Sequence, residues 1–340
     1  MAVYDLNGSE CTAYLLDGTQ AQEAFDINGN NILRYSINNV VSYFRERTLE
    51  VAGAINQLSS DWTTFVFITD QHGTKNKDHS QAIGLYLLDN TPCTMIVLGG
   101  DYSRENWSKT EFDNHVQPYV SSPLISRIYA LFGNHETKGG TYETTMAESL
   151  LSIYNSFLKD KTNITGDLQN NYYYLDDTAK KIRYMFINTS GTSQYNMTAD
   201  EITWISQNVI LPSAEWSLVV LGHVTLCNMG GLTGYNESNG STIQNAIKQC
   251  NGTIIGYICG HQHIDYLYHD GDIEHVTLMC DTFENTDWIP GYSITDRVAG
   301  TTDEQAVSTI SINTTTKDVV IRRIGAGRNQ TLTYNYAETE

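Results

Sequence analysis

Residues 65–72 read Phe65-Val66-Phe67-Ile68-Thr69-Asp70-Gln71-His72, and this stretch decides the fold. Its β-branched and aromatic residues predict a strand that is buried on both faces. Asp70 and His72 follow at the carboxyl end of that strand. Ligands of open α/β sheets bind at this end of the strands, so we expect a functional site there.

Four later apolar runs also end in polar side chains. They lead into Gly100-Asp101, Gly133-Asn134-His135-Glu136, Gly222-His223 and Gly260-His261-Gln262-His263. Asp70 and Asp101 are 31 residues apart, and Asp101 and Asn134 are 33 apart, which is the length of one βαβ unit. Right-handed crossovers would bring the first three strand ends side by side. The repetition predicts that polar side chains gather at one sheet edge.

Each motif alone has an ordinary structural explanation. An Asp-x-His at a strand end is more often a turn with a satisfied histidine, and Asn134 could cap a helix. A single His223 would usually be a core histidine. The five motifs together, in this order and all at strand ends, indicate a metal site instead.

The residue types in these motifs also indicate a class of chemistry. Asp, His and Asn ligands favour divalent ions such as Mn, Fe or Zn over a thiolate site. One carboxylate can bridge two metals, and Asp101 is central in the ligand order. Two such ions can clamp the attacking and leaving oxygens of phosphoryl transfer and convert a bridging water to hydroxide. We therefore expect two divalent metal ions and phosphoester hydrolysis.

The ordered motifs resemble the signature of the calcineurin-like metallophosphoesterases over about residues 60–325. The resemblance implies an α/β fold, a four-layer α/β/β/α sandwich of two mixed sheets flanked by helices, with a dimetal site at the strand C-termini. It implies a set of metal ligands consisting of Asp70, His72, Asp101, Asn134, His223, His261 and His263.

The resemblance also implies the catalytic residues, which are Asp101, Asn134 and His135. Asp101 would bridge the metals, His135 would assist the leaving group, and Glu136 would orient its neighbours. The implied activity is hydrolysis of a phosphomonoester or phosphodiester by attack of a metal-bridging hydroxide. Two alternatives stay open: a structural or attachment component, for example of a phage particle, that retains the fold and metals, or a nuclease.

The subfamily is indicated by departures from two known patterns. Residues 102–105, Tyr-Ser-Arg-Glu, lack the continuation of the Ser/Thr protein phosphatases. Arg104 stands where purple acid phosphatases have a metal-binding tyrosine. The ending at residues 322–327, Arg-Arg-Ile-Gly-Ala-Gly, resembles that of bacterial and phage-associated members. We therefore expect the bacterial or phage-associated type.

The rest of the chain predicts three regions. We expect residues 1–59 to form an N-terminal extension with a helix at 38–57 that packs on the core. Residues 60–325 should form the metallophosphoesterase domain, and residues 326–340 a polar C-terminal tail. Helices are predicted at 143–159 and 199–209. Apolar runs at 264–268, 275–280, 306–313 and 318–324 predict antiparallel strands that complete a second sheet.

Charge and hydropathy limit the partners of the protein. The chain has 20 Lys and Arg against 39 Asp and Glu, so its net charge is −19. This field repels nucleic acid, but it does not exclude a small phosphorylated substrate held by bound cations, which is the partner we expect. No apolar run has the roughly 18 residues of a membrane span, and the first basic residue is Arg34, so we expect neither a span nor a signal peptide. The compartment stays open between cytoplasm and virion.

Overall fold

The computed structural model shows two β-sheets packed face to face, with helices on both outer sides. It describes residues 3–4, 10–11, 37, 40, 42–73, 77–102, 109–137, 145–228, 236–282, 297, 301–327 and 330–335. At the start of the chain, β1 (Val3–Tyr4) and β2 (Glu10–Cys11) form a separate antiparallel pair. The four-layer α/β/β/α arrangement expected from the sequence is therefore confirmed.

The strands of the two large sheets are mostly short and buried. In chain order they are β3 (Trp62–Ile68), β4 (Cys93–Leu98), β5 (Ile128–Ala130), β6 (Ile164–Asp167), β7 (Tyr172–Asp177), β8 (Ile182–Phe186), β9 (Ser217–Leu221), β10 (Thr253–Cys259), β11 (Tyr266–His269), β12 (Glu274–Thr277), β13 (Ala306–Asn313), β14 (Asp318–Gly325) and β15 (Thr331–Asn335).

The α-helices connect these strands and cover the sheets. In chain order they are α1 (Ser42–Asn56), α2 (Lys77–Asn90), α3 (Lys109–Val120), α4 (Met146–Ile153), α5 (Ala199–Asn208) and α6 (Gly240–Ile247). The π-helical turn Tyr154–Leu158 continues α4, so the helix predicted at 143–159 is present from residue 146 onward, and residues 143–144 lie outside the described residues. Helix α5 confirms the prediction at 199–209, and the Thr198 side chain caps it by accepting a hydrogen bond from the Glu201 amide.

The six-stranded sheet has the order β15-β14-β13-β3-β4-β5. Strands β3, β4 and β5 are parallel, because α2 and α3 serve as the crossovers that the spacing predicted. Strand β3 is buried along nearly its whole length, as the apolar run at residues 65–68 predicted. The ends of these three strands therefore lie at one edge.

The seven-stranded sheet has the order β11-β12-β10-β9-β8-β7-β6. The prediction that all four runs after His263 complete one antiparallel second sheet was wrong. Strands β11 and β12 join this sheet, with β12 parallel to β10, whereas β13 and β14 join the six-stranded sheet beside β3. An apolar pattern shows which residues are buried, but it does not identify the partner strand.

Both ends of the expected domain contribute to the fold. In the expected polar tail, residues 331–335 form β15, an edge strand paired with β14. An edge strand that is partly exposed can carry polar residues, so its composition resembled that of a loose tail. In the expected N-terminal extension, Phe44, Val51 and Ile55 of α1 are buried in the core that both sheets share.

Alternate residues of the central strands face the two sides of their sheet. In β9, Val219 and Leu221 point toward the other sheet, whereas Leu218 and Val220 pack under α5 and α6. Between the sheets, the Phe186 ring stacks on Tyr173 with centroids 4.6 Å apart and lies 5.6 Å from Tyr129 of β5. Aromatic packing therefore joins the two sheets.

Replacing Phe186 with alanine tests this packing. Phe186 is fully buried, so we expect Phe186→Ala to lower the free energy of unfolding by about 3–5 kcal/mol. Urea unfolding measures the change. The control Leu151→Ala, at a helix position that is 54% exposed, should cost less than about 1 kcal/mol. Equal losses in the two variants would contradict the assigned packing.

Candidate metal centre

Strand ends from both sheets lie at a common edge. Asp70 follows β3, Asp101 follows β4 and Asn134 follows β5, all in the six-stranded sheet. His223 follows β9 and His261 follows β10, in the seven-stranded sheet. The parallel direction of these strands within each sheet places all five residues at carboxyl ends.

Asp70, His72 and His263 form one group of donor atoms. The His263 Nε2 atom lies 3.2 Å from Asp70 Oδ1 and 3.2 Å from His72 Nε2. The donor atoms of this group all lie within 4.8 Å of one another, which is close enough to surround one cation.

Asp101, His223 and His261 form a second group of donor atoms within the same 4.8 Å limit. The His223 Nε2 atom lies 3.1 Å from Asp101 Oδ2 and 3.0 Å from Asn134 Oδ1. The same Asp101 Oδ2 atom lies 3.9 Å from His72 Nε2 of the first group. Asp101 therefore stands between the two groups.

His135 lies at the open side of this cluster. Its Nε2 atom is 3.7 Å from Asp101 Oδ2, and its ring packs edge-on against His72 with centroids 4.7 Å apart. The His135 side chain is 19% exposed, whereas those of Asp101 and His223 are nearly inaccessible. His135 is therefore positioned to meet a molecule that approaches from solvent.

The backbone at the strand ends adopts an uncommon conformation. Five site residues have positive φ angles in the left-handed region, which residues other than glycine rarely adopt. They are Asp70 (54°), His72 (46°), Asp101 (54°), His261 (69°) and His263 (57°). Such strain persists only where the surroundings hold it in place, and it concentrates at functional sites.

Two glycines of the motifs are required by close packing. A Cβ atom at Gly133 would lie 2.2 Å from Asp101 Oδ1. One at Gly260 would lie 2.1 Å from Thr69 Oγ1 and 2.2 Å from Asp70 Oδ2. These distances are far below van der Waals contact, so the glycines let neighbouring strand ends approach the carboxylates.

Backbone amides fix the orientation of the carboxylates. Asp70 accepts hydrogen bonds from the Thr69 hydroxyl (2.7 Å) and from the His261 amide (2.9 and 3.1 Å to its two oxygens). Asp101 Oδ1 accepts from the His135 amide at 2.9 Å. In each case hydrogen bonds from residues at the strand ends orient the carboxylate. The same carboxylate belongs to one of the two groups of candidate metal ligands.

Glu136 holds the turn that carries His135. Its carboxylate accepts hydrogen bonds from the amides of Gly133 (2.8 Å), Asp101 (2.9 Å) and Tyr102 (2.9 Å). Burial and the nearby Asp101 charge raise the pKa of Glu136, and the amide donors on both of its oxygens oppose that shift by favouring the ionised form. Glu136 therefore connects the end of β4 to the end of β5.

The electrostatics of the site favour cations. Burial raises the pKa of Asp101, but His223 and His135 lower it more, so the net pKa lies well below the ordinary value. Burial lowers the pKa of the His72 and His261 rings to about 3, so both rings are neutral at neutral pH. At His223, burial lowers the pKa but the Asp101 and Asp70 charges raise it more, to about 9, so a cation bound there would displace a proton. An ionised carboxylate and neutral imidazoles are the forms in which these side chains bind metals.

The donor set fits divalent metal ions. The Nδ1 atom of His223 donates to the Gly99 carbonyl at 2.7 Å, which leaves Nε2 pointing at Asp101 and Asn134. His261 Nε2 is buried and has no hydrogen-bond partner among the described residues. A buried imidazole nitrogen beside a carboxylate can coordinate a cation.

Sequence reasoning missed a supporting network beneath the site. Asp281 accepts hydrogen bonds from Gln71 Nε2 (3.1 Å) and Ser80 Oγ (2.5 Å), and Gln71 Oε1 lies 2.9 Å from His115 Nε2. The Asp281 amide also donates to the Thr69 carbonyl. No local motif marks Asp281 or His115, so only the tertiary structure reveals them. Arg104 lies outside the described residues.

Comparison with known proteins identifies the family. A sequence profile described as Calcineurin-like phosphoesterase matches residues 63–265. No curated protein sequence matches the chain. Among the described residues, no helix is long and apolar enough to cross a membrane.

Several solved structures are similar in fold. One is a dimetal phosphatase from Danio rerio, with 13% identity and a TM-score of 0.54 over 81% of this chain and 99% of that one. A purple acid phosphatase from yellow lupin (Lupinus luteus) seeds has 13% identity and a TM-score of 0.55 over 82% of this chain and 54% of that one.

A third similar structure is GAP50, described as the anchor in the inner membrane complex of Plasmodium. It has 15% identity and a TM-score of 0.51 over 81% of this chain and 88% of that one. At these identities the likeness concerns the fold alone, and the sequence profile carries the assignment. The chain belongs to the calcineurin-like phosphoesterase family of metal-dependent phosphoric ester hydrolases.

Proposed function

We propose that the chain binds two divalent cations at this edge and hydrolyses a small phosphomonoester or phosphodiester. The observation that carries the proposal is the position of Asp101 between two groups of donor atoms. Asp70, His72 and His263 would hold the first cation. Asn134, His223 and His261 would hold the second, and Asp101 would contact both. When bound, the cations would activate water and neutralise charge on the phosphoryl group.

His135 is the proposed proton donor to the leaving oxygen. Its backbone amide is held by Asp101 Oδ1, and its ring is partly exposed above the carboxylate. Its Nδ1 atom is buried and has no hydrogen-bond partner among the described residues. A histidine within hydrogen-bond reach of the leaving oxygen can act as a general acid.

The net charge, the backbone conformation and residues 322–327 bear on the type of substrate and on the subfamily. A net charge of −19 disfavours long polyanions, which weighs against the nuclease alternative. The left-handed backbone at five candidate ligand residues costs conformational free energy, and a purely structural component would not need it. This observation weighs against the structural alternative. We also propose the bacterial or phage-associated type from the ending at 322–327, where Arg323 is buried and paired with Asp265.

The activity is tested with p-nitrophenyl phosphate and bis(p-nitrophenyl) phosphate. We expect turnover of at least one ester with Mn²⁺, Zn²⁺ or Fe²⁺, and loss of turnover with EDTA, because the reaction needs the cations. Comparison of the two esters distinguishes a monoesterase from a diesterase. Absence of turnover with every metal would count against an enzymatic role.

Variants of Asp101 and His135 separate metal binding from proton transfer. Asp101→Asn should remove nearly all activity, because an amide cannot serve two cations as a carboxylate does. His135→Ala should lower kcat by about 10²–10⁴-fold while the metal content persists. Steady-state kinetics and metal analysis measure both. His79→Ala, at a histidine outside the site, is the control, and an unchanged kcat in His135→Ala would refute the proposed acid.

Glu136→Gln tests how the turn supports the ligands. One glutamine N–H would face a backbone amide donor, so the turn would shift and metal affinity should fall by about 10–100-fold. Metal titration measures the affinity. Glu215→Gln, at an exposed glutamate paired with Lys181, should bind metal like the wild type. Equal affinity of Glu136→Gln and wild type would show that Glu136 does not position the site.

A further inference from the structure

Asp281 is a buried carboxylate to which the proposed reaction gives no role. Its side chain is inaccessible to solvent, and its oxygens accept hydrogen bonds from three separate parts of the chain. Oδ1 accepts from the Ser80 hydroxyl of α2 (2.5 Å) and from the Ala306 amide at the start of β13 (3.1 Å). Oδ2 accepts from Gln71 Nε2 at 3.1 Å. Asp281 therefore joins the loop after β3 to a helix and to a neighbouring strand.

Gln71 connects this carboxylate to the first group of donor atoms. It stands between Asp70 and His72 in the sequence, and its side chain is buried. Its Nε2 atom donates to Asp281, and its Oε1 atom lies 2.9 Å from Nε2 of His115 in α3. The Gln71 amide group is thus held on both sides, by the segment after β12 and by α3.

Main-chain hydrogen bonds align the same two segments. The amides of Asp281 and Thr282 donate to the carbonyls of Thr69 and Asp70, at 2.8 and 3.0 Å. These bonds hold the backbone as far as Asp70. The bond between the side chains of Asp281 and Gln71 extends the attachment by one residue, to the position between the two donors.

Asp70 and His72 depend on this attachment because both have a left-handed backbone conformation, with φ angles of 54° and 46°. A residue other than glycine keeps such a conformation only where its surroundings hold it in place. A buried side chain that is fixed between the two residues restricts rotation of the peptide groups on either side. The network therefore acts on the backbone that orients both donors.

The second group of donor atoms has separate supports. Glu136 binds amides at the ends of β4 and β5, and the Gly99 carbonyl accepts a hydrogen bond from the His223 ring. Among the described residues, Asp281 forms no hydrogen bond with a member of the second group. Loss of the Asp281 side chain should therefore affect the first group more than the second.

We propose that Asp281 is a positioning residue for the first cation. Through Gln71 it holds the backbone that orients Asp70 and His72, and the second cation binds without its help. This inference rests on the proposed two-cation site, and it adds that the ligands of the two cations are supported by different contacts.

Calorimetric titration of the metal-free protein with Mn²⁺ tests the proposal. Asp281→Ala removes the acceptor for Gln71, so the affinity for one cation should fall by about 10–100-fold, the usual effect of losing an outer contact to metal ligands. The other cation should bind as in wild type. Crystals of the variant grown with Mn²⁺ should keep the anomalous peak beside His223 and lose the peak beside Asp70.

Gln71→Met is a second variant, because Asp281→Ala also leaves the Ser80 hydroxyl and the Ala306 amide without their acceptor and can impair folding. Methionine is similar in length to glutamine but has no N–H group to donate to Asp281. This variant should show the same selective loss of the first cation.

Asp176→Ala is the matched control. It breaks two hydrogen bonds of 2.7 Å with Arg183, which lies near the start of β8, whereas the metal edge lies beyond the ends of the parallel strands. The variant should be less stable than wild type and should still bind both cations as wild type does.

The proposal is overturned if folded Gln71→Met binds both cations like wild type, or if the affinities for both cations fall equally. If wild type takes up no Mn²⁺, the two-cation site itself is refuted, and the role of Asp281 is refuted with it.

Discussion

The arrangement of the metal edge depends on buried carboxylates that accept hydrogen bonds from backbone amides of neighbouring strand ends. Asp70 follows a strand of the six-stranded sheet and accepts from the amide of His261, which follows a strand of the other sheet. Glu136 joins the ends of β4 and β5 in the same way, because it accepts hydrogen bonds from the amides of Asp101, Tyr102 and Gly133. Because these bonds fix the backbone, the side chains at the strand ends can point into one small volume.

This arrangement places the backbone at the strand ends in a strained conformation. Donor residues on β3, β4 and β10 turn into the left-handed conformation directly after their strands. The aromatic core between the sheets packs the strands together, with Phe186 against Tyr173 and Tyr129. Two glycines, Gly133 and Gly260, allow the strand ends to approach the carboxylates. Stability in the core therefore supports strain at the site.

The sequence predicted those parts of the molecule that local patterns encode. The run at residues 65–72 marks both a buried strand and its two donors, and the spacing to Asp101 and Asn134 marks the parallel crossovers. The partners of β12 and β13 could not be predicted, because pairing between distant strands leaves no trace in either run alone. Asp281 and His115 were missed for the same reason: each contacts Gln71 across a large sequence separation.

Crystals grown with Mn²⁺ test the central claim most directly, since anomalous scattering locates the metal atoms. We expect two peaks roughly 3.5–4 Å apart, one beside Asp70 and one beside His223, with Asp101 in contact with both. A map without peaks at this edge, or with a single peak that Asp101 does not contact, would contradict it.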